Sequence, residues 1–203
     1  MTAPISQLIQ RSVSQRSVSQ RSVSRTVSLA LFGSLFIATP LLASEKPSDH
    51  AAAHQASQQA SLVKLVRAGT RRYVDVNDAT AAGYGPFLGC VAGTDHGAMG
   101  VHYVNGTLLG NLTLDPAQPQ ALIYEPSNGK MTLVGVEFIL DSASWLAANN
   151  NTPPVLDGQV FNFVGAPNRF NIPSFFELHV WAWRGNPQGA FVDWNNDVTC
   201  DGQ

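Results

Sequence analysis

Cysteine and charge are both scarce in this chain. Only Cys90 and Cys200 occur, and Asp, Glu, Lys and Arg together make up 13% of the 203 residues, about half the usual share. Basic residues are scarcer still in the part expected to persist. Arg11, Arg16, Arg21 and Arg25 fall in an N-terminal segment that reads as removable. Eight Lys and Arg then face all fourteen acids, a difference of −6 where the whole chain shows −2. An acidic, charge-poor surface argues against nucleic acid and anionic membrane as partners. No GxSxG elbow, Walker A loop, GxGxxG fingerprint, HExxH helix or cupin-type HxH pair is present, so the familiar motifs name no reaction. A long membrane span is lacking too: the apolar stretch Thr26 to Ala43 is short for one, and Pro40 interrupts it.

The first 43 residues instead read as an address. Residues 11–25 are RSVSQRSVSQRSVSR, basic and without an acid, and TVSLALFGSLFIATPLLA follows. A basic n-region, an apolar h-region and small residues at Ala43 and Ser44 form a secretory signal pattern over 1–43. The RSVSQ repeat extends its n-region, and Leu41 is an unusual residue three before the cut. No cysteine follows the h-region to carry a lipid, and no twin-arginine pair precedes it. The expected location is secreted or periplasmic, with no stable membrane insertion after processing. There, two distant cysteines in one domain read as one disulfide, Cys90–Cys200. It would close a loop of about 110 residues, contribute roughly 4–5 kcal/mol by the chain-entropy model, and withdraw both thiols from catalysis. The sequons at Asn105, Asn111 and Asn150 matter only in a eukaryotic secretory pathway and are read as chance.

About 160 residues remain, enough for one domain with its own core. Residues 44–61 are rich in Ala and Gln and nearly lack bulky apolar residues, which predicts a tether or a frayed helix. Residues 62–203 form the domain. Leu62, Val66, Gly69, Tyr73, Val76 and Thr80 recur at helical spacing, Gly69 weakens the middle, and Gly83 fits a stop. Short β-rich runs follow, near 89–92, 99–104, 121–124, 131–140, 160–164 and 175–183, separated by turn-rich pieces such as TDHGA, LDPAQPQ and PSNGK. Helices before a run of strands predict an α+β fold whose strands form an antiparallel, barrel-like or sandwich β-domain.

Three of the apolar runs carry an ionisable residue at the centre: GVHYV with His102, LVGVEFIL with Glu137, and FFELHVWAW with Glu177 and His179. A charge inside a buried strand is costly unless paired, hydrogen-bonded or bound to a metal. In 131–140 both alternating faces are apolar, which predicts a central, doubly covered strand and leaves Glu137 without a route to water. A spacing of two puts Glu177, His179, Trp181 and Trp183 on one face. If these strands are neighbours, His102, Glu137 and His179 converge.

Two imidazoles and a carboxylate are a sufficient set of ligands for one divalent transition metal, with positions left for water or substrate. Glu177 would be a fourth ligand or an outer partner. Trp181, Trp183 and Tyr103 would line a pocket for a small-molecule ligand. The competing reading is a structural network in which the histidines hydrogen-bond to Glu137, Glu177 or Tyr124 and hold the sheet in register. Whether the site is enzymatic, and how many copies of the chain associate, are left open by these residues. Weaker features read as ordinary structure. Asp95 and His96 sit in a glycine-rich turn. His50 and His54 lie on the Ala-rich segment and read as solvated. Asp193, Asn195 and Asp197 imitate a calcium loop but lack its glycine and closing Glu. Glu125 in YEP borders a turn and reads as exposed.

The runs CVAGTDHGAMGVHYVN, ALIYEPSNGKMTLVGVEF and FELHVWAWRGNPQGAFVDWNNDVTC also carry a resemblance. Their GxHYVN, LxYEP, LVGVE and LHVWxWxxNPxGxF motifs resemble an uncharacterised family of exported bacterial proteins, over most of residues 68–200. That resemblance implies a bacterial, exported, single-domain protein and carries no activity. DWNND stands where that family tends to have Pro after WN. LIYEP followed by LVGVEF is more faintly similar to the oil-body-associated protein domain, whose paired-histidine strand is absent here.

Overall fold

The computed structural model describes residues 49–202, and side-chain burial from residue 51. The signal peptide expected over 1–43 lies outside the described residues. Helix α1 (Asp49–Thr70) runs without a break through the Ala/Gln-rich segment. Residues 51–57 are exposed, and from Leu62 and Val66, both fully buried, the helix joins the core. Gly69 does not split it. A Cβ there would collide with the backbone of Ala117, so glycine permits a close helix–loop crossing near the helix end. A 3₁₀ turn (Arg71–Tyr73) follows, then α2 (Val76–Ala81), capped by the Asp75 side chain accepting from Asn77 N.

Strands follow the helices. β1 (Tyr84–Ala92), β2 (Ala98–Asn105), β3 (Ala121–Ser127) and β4 (Lys130–Asp141) form a meander. The short β5 (Val155–Leu156) and β6 (Gln159–Val160) pair only with each other. β7 (Asn162–Val164) and β8 (Phe175–Val180) complete a six-stranded antiparallel sheet in the order β1-β2-β3-β4-β8-β7. The fold is α+β as the sequence predicts. The sheet stays open, with β1 and β7 as its edges, and does not close into a barrel. Two short helices were not legible as periodicity. These are α3 (Gly106–Leu109), capped by Asn105, and α4 (Ser142–Ala148), capped by Asp141. Each is too short to show a period, and its Asx cap is its only sequence signal.

One face of the sheet packs against the helices. Leu122, Tyr124, Val136, Phe138, Leu140, Leu178 and Val180 meet Leu62, Val66, Tyr73 and Ala79 there. Fully buried Tyr124 donates its hydroxyl to the Tyr73 carbonyl at 2.6 Å. Tyr124→Phe leaves that carbonyl unpartnered and is expected to cost about 1–3 kcal/mol. Urea unfolding should show this as a lower midpoint at unchanged m value.

The opposite face is covered by the C-terminal segment. Ala98, Ile123, Val134, Trp181 and Val198 form a second, smaller core. Backbone hydrogen bonds join Ala98 to Asn195 in both directions at 3.1 and 3.2 Å, and the Cys90–Cys200 disulfide ties the chain end to β1. Glu125 corrects the sequence reading. It is buried, pairs with Arg184 at 2.6 Å and accepts from Thr199 N at 3.0 Å, so it clamps the tail instead of facing solvent. Among the described residues, no helix is long and apolar enough to cross a membrane.

Candidate functional site

His102, Glu137, Glu177 and His179 all lie on the tail-covered face, and sheet register explains how they meet. Glu137 on β4 is directly opposite His179 on β8, and Glu177 pairs with Ile139 on one side and Asn162 on the other. His102 is one strand further away. It pairs with Ile123 of β3, while the β3 residue opposite Glu137 is Ala121. The small Ala121 side chain leaves room for the imidazole to reach across β3. His102 Nε2 lies 3.2 Å from Glu137 Oε2. The His102 and His179 rings meet edge to face, their centroids 5.8 Å apart.

Two groups of potential ligand atoms share His179. His102, Glu137 and His179 offer three atoms within 4.8 Å of one another, and so do Glu177, His179 and Asp193. A tetrahedral ion with bonds of about 2.0–2.1 Å separates its ligand atoms by about 3.3 Å. The 3.2 Å between His102 and Glu137 matches that edge. Asp193 was not singled out for this site in the sequence because it resembled a broken calcium loop. The tail lays it over the sheet, where Asn162 Nδ2 donates to it at 3.3 Å and His179 Nδ1 stands 3.7 Å away. Glu177 is in hydrogen-bond contact with both Glu137 and Asp193.

His179 is the exception within this network. It is 1% exposed, and neither ring nitrogen has a hydrogen-bond partner among the described residues. A buried polar group left so costs about 1–3 kcal/mol. By contrast, His102 directs Nε2 to Glu137, and the Gly100 backbone favours a proton on the ring, for which Nδ1 is the remaining nitrogen. A proton on Nδ1 leaves the Nε2 lone pair facing the cluster, the tautomer a metal ligand needs. An Nδ1 proton on His179 directed at Asp193 would do the same there.

Burial sets the protonation of the group. It pushes His102 down to about 4 and holds His179 well below the ordinary imidazole range, so both rings are neutral at pH 7. Burial also raises Glu137, Glu177 and Asp193, and the neighbouring Glu137 carboxylate raises Glu177 further. Without a cation, this cluster therefore holds protons among its acids. Two neutral imidazoles beside deprotonatable carboxyls suit a divalent transition ion, and Glu177, held protonated, can donate a proton to a group bound beside it.

The aromatic residues separate. Trp181 stays with the site, its ring 6.2 Å from His179 and its Nε1 donating to Val192 O at 2.6 Å. Trp183 crosses to the helix face, correcting the parity expectation. β8 ends at Val180, and a tight turn from Ala182 N to Val180 O reverses the alternation. Trp183 then donates to Thr70 Oγ1 at 3.0 Å beneath Arg67. Tyr103 also faces the helix side, packed on Tyr124 with ring centroids 5.1 Å apart. Neither lines the site. Asp95, His96 and His54 are exposed.

Above the His and Glu side chains is a cavity of about 50 Å³, otherwise walled by apolar residues from β1, β2, β4, β8 and the segment before β8. Compared with family models, curated proteins and solved structures, the chain matches none.

Proposed function

We propose that this chain is an exported protein that binds one divalent transition metal on His102, Glu137 and His179, with Glu177 as a further ligand or proton carrier. In this reading Asp193 orients His179. One observation carries it: a fully buried His179 whose two nitrogens lack hydrogen-bond partners stands within ligand distance of a second imidazole and a carboxylate. Export rests on the N-terminal signal pattern and on a disulfide suited to an oxidising compartment. The runs that resemble the exported bacterial family also hold the site: GVHYVN carries His102, LVGVE carries Glu137 and FELHVW carries Glu177 and His179. We infer membership of that family on the same footing. The 3.2 Å contact between His102 and Glu137 favours a second reading, a structural network without metal.

Elemental analysis of the purified mature protein separates the two. One equivalent of metal, absent from a His102→Ala, His179→Ala double variant, is the expected result; folded protein that takes up no divalent ion would refute the metal reading.

The pH dependence has a definite sign. At pH 7 the imidazoles are already neutral, whereas the raised carboxyls must release protons to the solvent before they bind a cation. Affinity should therefore rise from pH 6 to pH 8, with about one proton released per metal at pH 7. Metal-free protein should show two opposing trends. The raised carboxyls contribute stability that is lost as pH climbs from the unfolded carboxyl range through their folded values. The lowered imidazoles contribute stability that is lost as pH falls from 6.5 toward 4. Above pH 6.5 only the first acts, so added Zn²⁺ should raise the melting temperature more at pH 8 than at pH 6.5.

A further inference from the structure

We infer that the cavity over this site admits a small uncharged molecule, with an apolar body and one donor atom, to the open position of the bound metal. This inference rests on the metal reading above and adds the class of ligand. The polar side chains lining the cavity are those of His102, Glu137, Glu177 and His179. The remaining walls include Phe87, Val104, Ile139 and Phe175, and no Lys or Arg lines the cavity. An anion entering it would meet the Glu137 carboxylate, with the metal as the only positive charge. Desolvating a carboxylate or phosphate without a cation from the walls is costly. An ammonium ligand lacks a lone pair for the metal. A neutral donor meets neither obstacle.

Size and access narrow the choice. A single water needs about 10–15 Å³ on this measure, so about 50 Å³ holds a few heavy atoms and not a sugar or nucleotide. The entrance is at the bulge of β1, where pairing with β2 skips from Phe87 to Cys90. Leu88 projects there with φ of 61°, lines the cavity, and is 58% exposed. Bulges commonly interrupt pairing beside a site in this way. His102 stands opposite Phe87 beside this bulge, and buried, unpartnered His179 lies further along the sheet on β8.

The test uses full-length mature protein loaded with Co²⁺, whose visible absorption reports ligation at the metal. Pyrazole is the neutral probe and acetate the anionic one. Pyrazole should shift the Co²⁺ spectrum with a dissociation constant at least ten-fold lower than that of acetate. Val104→Lys supplies the missing cation and should weaken pyrazole and strengthen acetate, each by about ten-fold, at unchanged Co²⁺ stoichiometry. Leu88→Lys, at an exposed position, makes the same test at the entrance should the first variant not fold. If Co²⁺ binds and acetate binds as tightly as pyrazole, the ligand class is wrong and the metal reading survives. A bound Co²⁺ that responds to neither probe means a closed coordination sphere and overturns the inference. Failure to bind Co²⁺ overturns the metal reading together with it.

Discussion

Replacing His179 with Leu is expected to weaken Zn²⁺ or Co²⁺ binding by at least about 100-fold while leaving the metal-free protein as stable as before, or more so. The two halves of that result have different origins. Structural zinc sites of four ligands release about 10–16 kcal/mol in total, so losing one ligand removes about 3 kcal/mol, equivalent to 100-fold or more. The metal-free protein loses nothing comparable, because the imidazole makes no hydrogen bond there. Substituting an apolar side chain of similar size removes two desolvated nitrogens, and relief of up to about 1–3 kcal/mol offsets any loss from imperfect packing. His102 is the internal control. Its contacts with Glu137 and Gly100 mean that His102→Leu should destabilise the metal-free protein by orphaning a buried partner. Isothermal titration with metal and urea unfolding in the presence of a chelator measure the two quantities separately. A His179→Leu protein that loses several kcal/mol without metal would show that the ring nitrogens are satisfied within the fold, and the structural network would then be the better account.

That asymmetry between the histidines was not legible in the sequence, although much of the site was. Strand parity alone placed Glu137, Glu177 and His179 correctly, because β4 and β8 keep a regular period of two from Gly135 to Ile139 and from Phe175 to Val180. Parity failed where the backbone stops alternating. A bulge in the β3–β4 ladder between Ile123 and Tyr124 moves Val134 to the tail-covered face and Leu133 to the helix face. The turn after Val180 does the same to Trp183. Gly135 beside the first irregularity is a weak bulge signal, but Leu-Val-Gly and Val-Trp-Ala-Trp otherwise continue an apolar run. Asp193 and Glu125 were missed for another reason. Their roles depend on where the tail crosses the sheet, and that path is fixed by contacts distant in sequence, Asn195 with Ala98 and Cys200 with Cys90. A segment rich in Asn, Asp and Gly reads as a turn whether or not it is laid over a core.

The tail's role leads to the other large effect. Cys90→Ser, Cys200→Ser should lower stability by about 4–5 kcal/mol, since the bridge spans 110 residues and chain-entropy stabilisation grows with loop length. In a unit of about 150 residues, each kcal/mol moves the melting temperature by about 2–4 °C, so a fall of about 10–15 °C is expected. The substitution should act unevenly across the molecule. On the helix face, Trp183 with Thr70 and Tyr124 with Tyr73 are held by bonds remote from the bridge. On the other face, the same tail that ends at Cys200 brings Asp193 to His179. Several anchors remain when the disulfide is gone: the Asn195–Ala98 bridge, two residues from Asp193, the Trp181 Nε1–H donated to Val192 O, and Glu125 with its bonds to Arg184 and Thr199. Loss of an outer partner of a metal-bound histidine typically weakens binding 10–100-fold. With those anchors in place, the lower end of that range, about ten-fold, is the expected loss. Serine variants are preferable to chemical reduction because thiol reductants compete for metal. Calorimetry with and without Zn²⁺ should show the melting temperature falling in both states and falling further in the metal-loaded one. An equal fall in both would mean that the tail stabilises the fold without positioning His179.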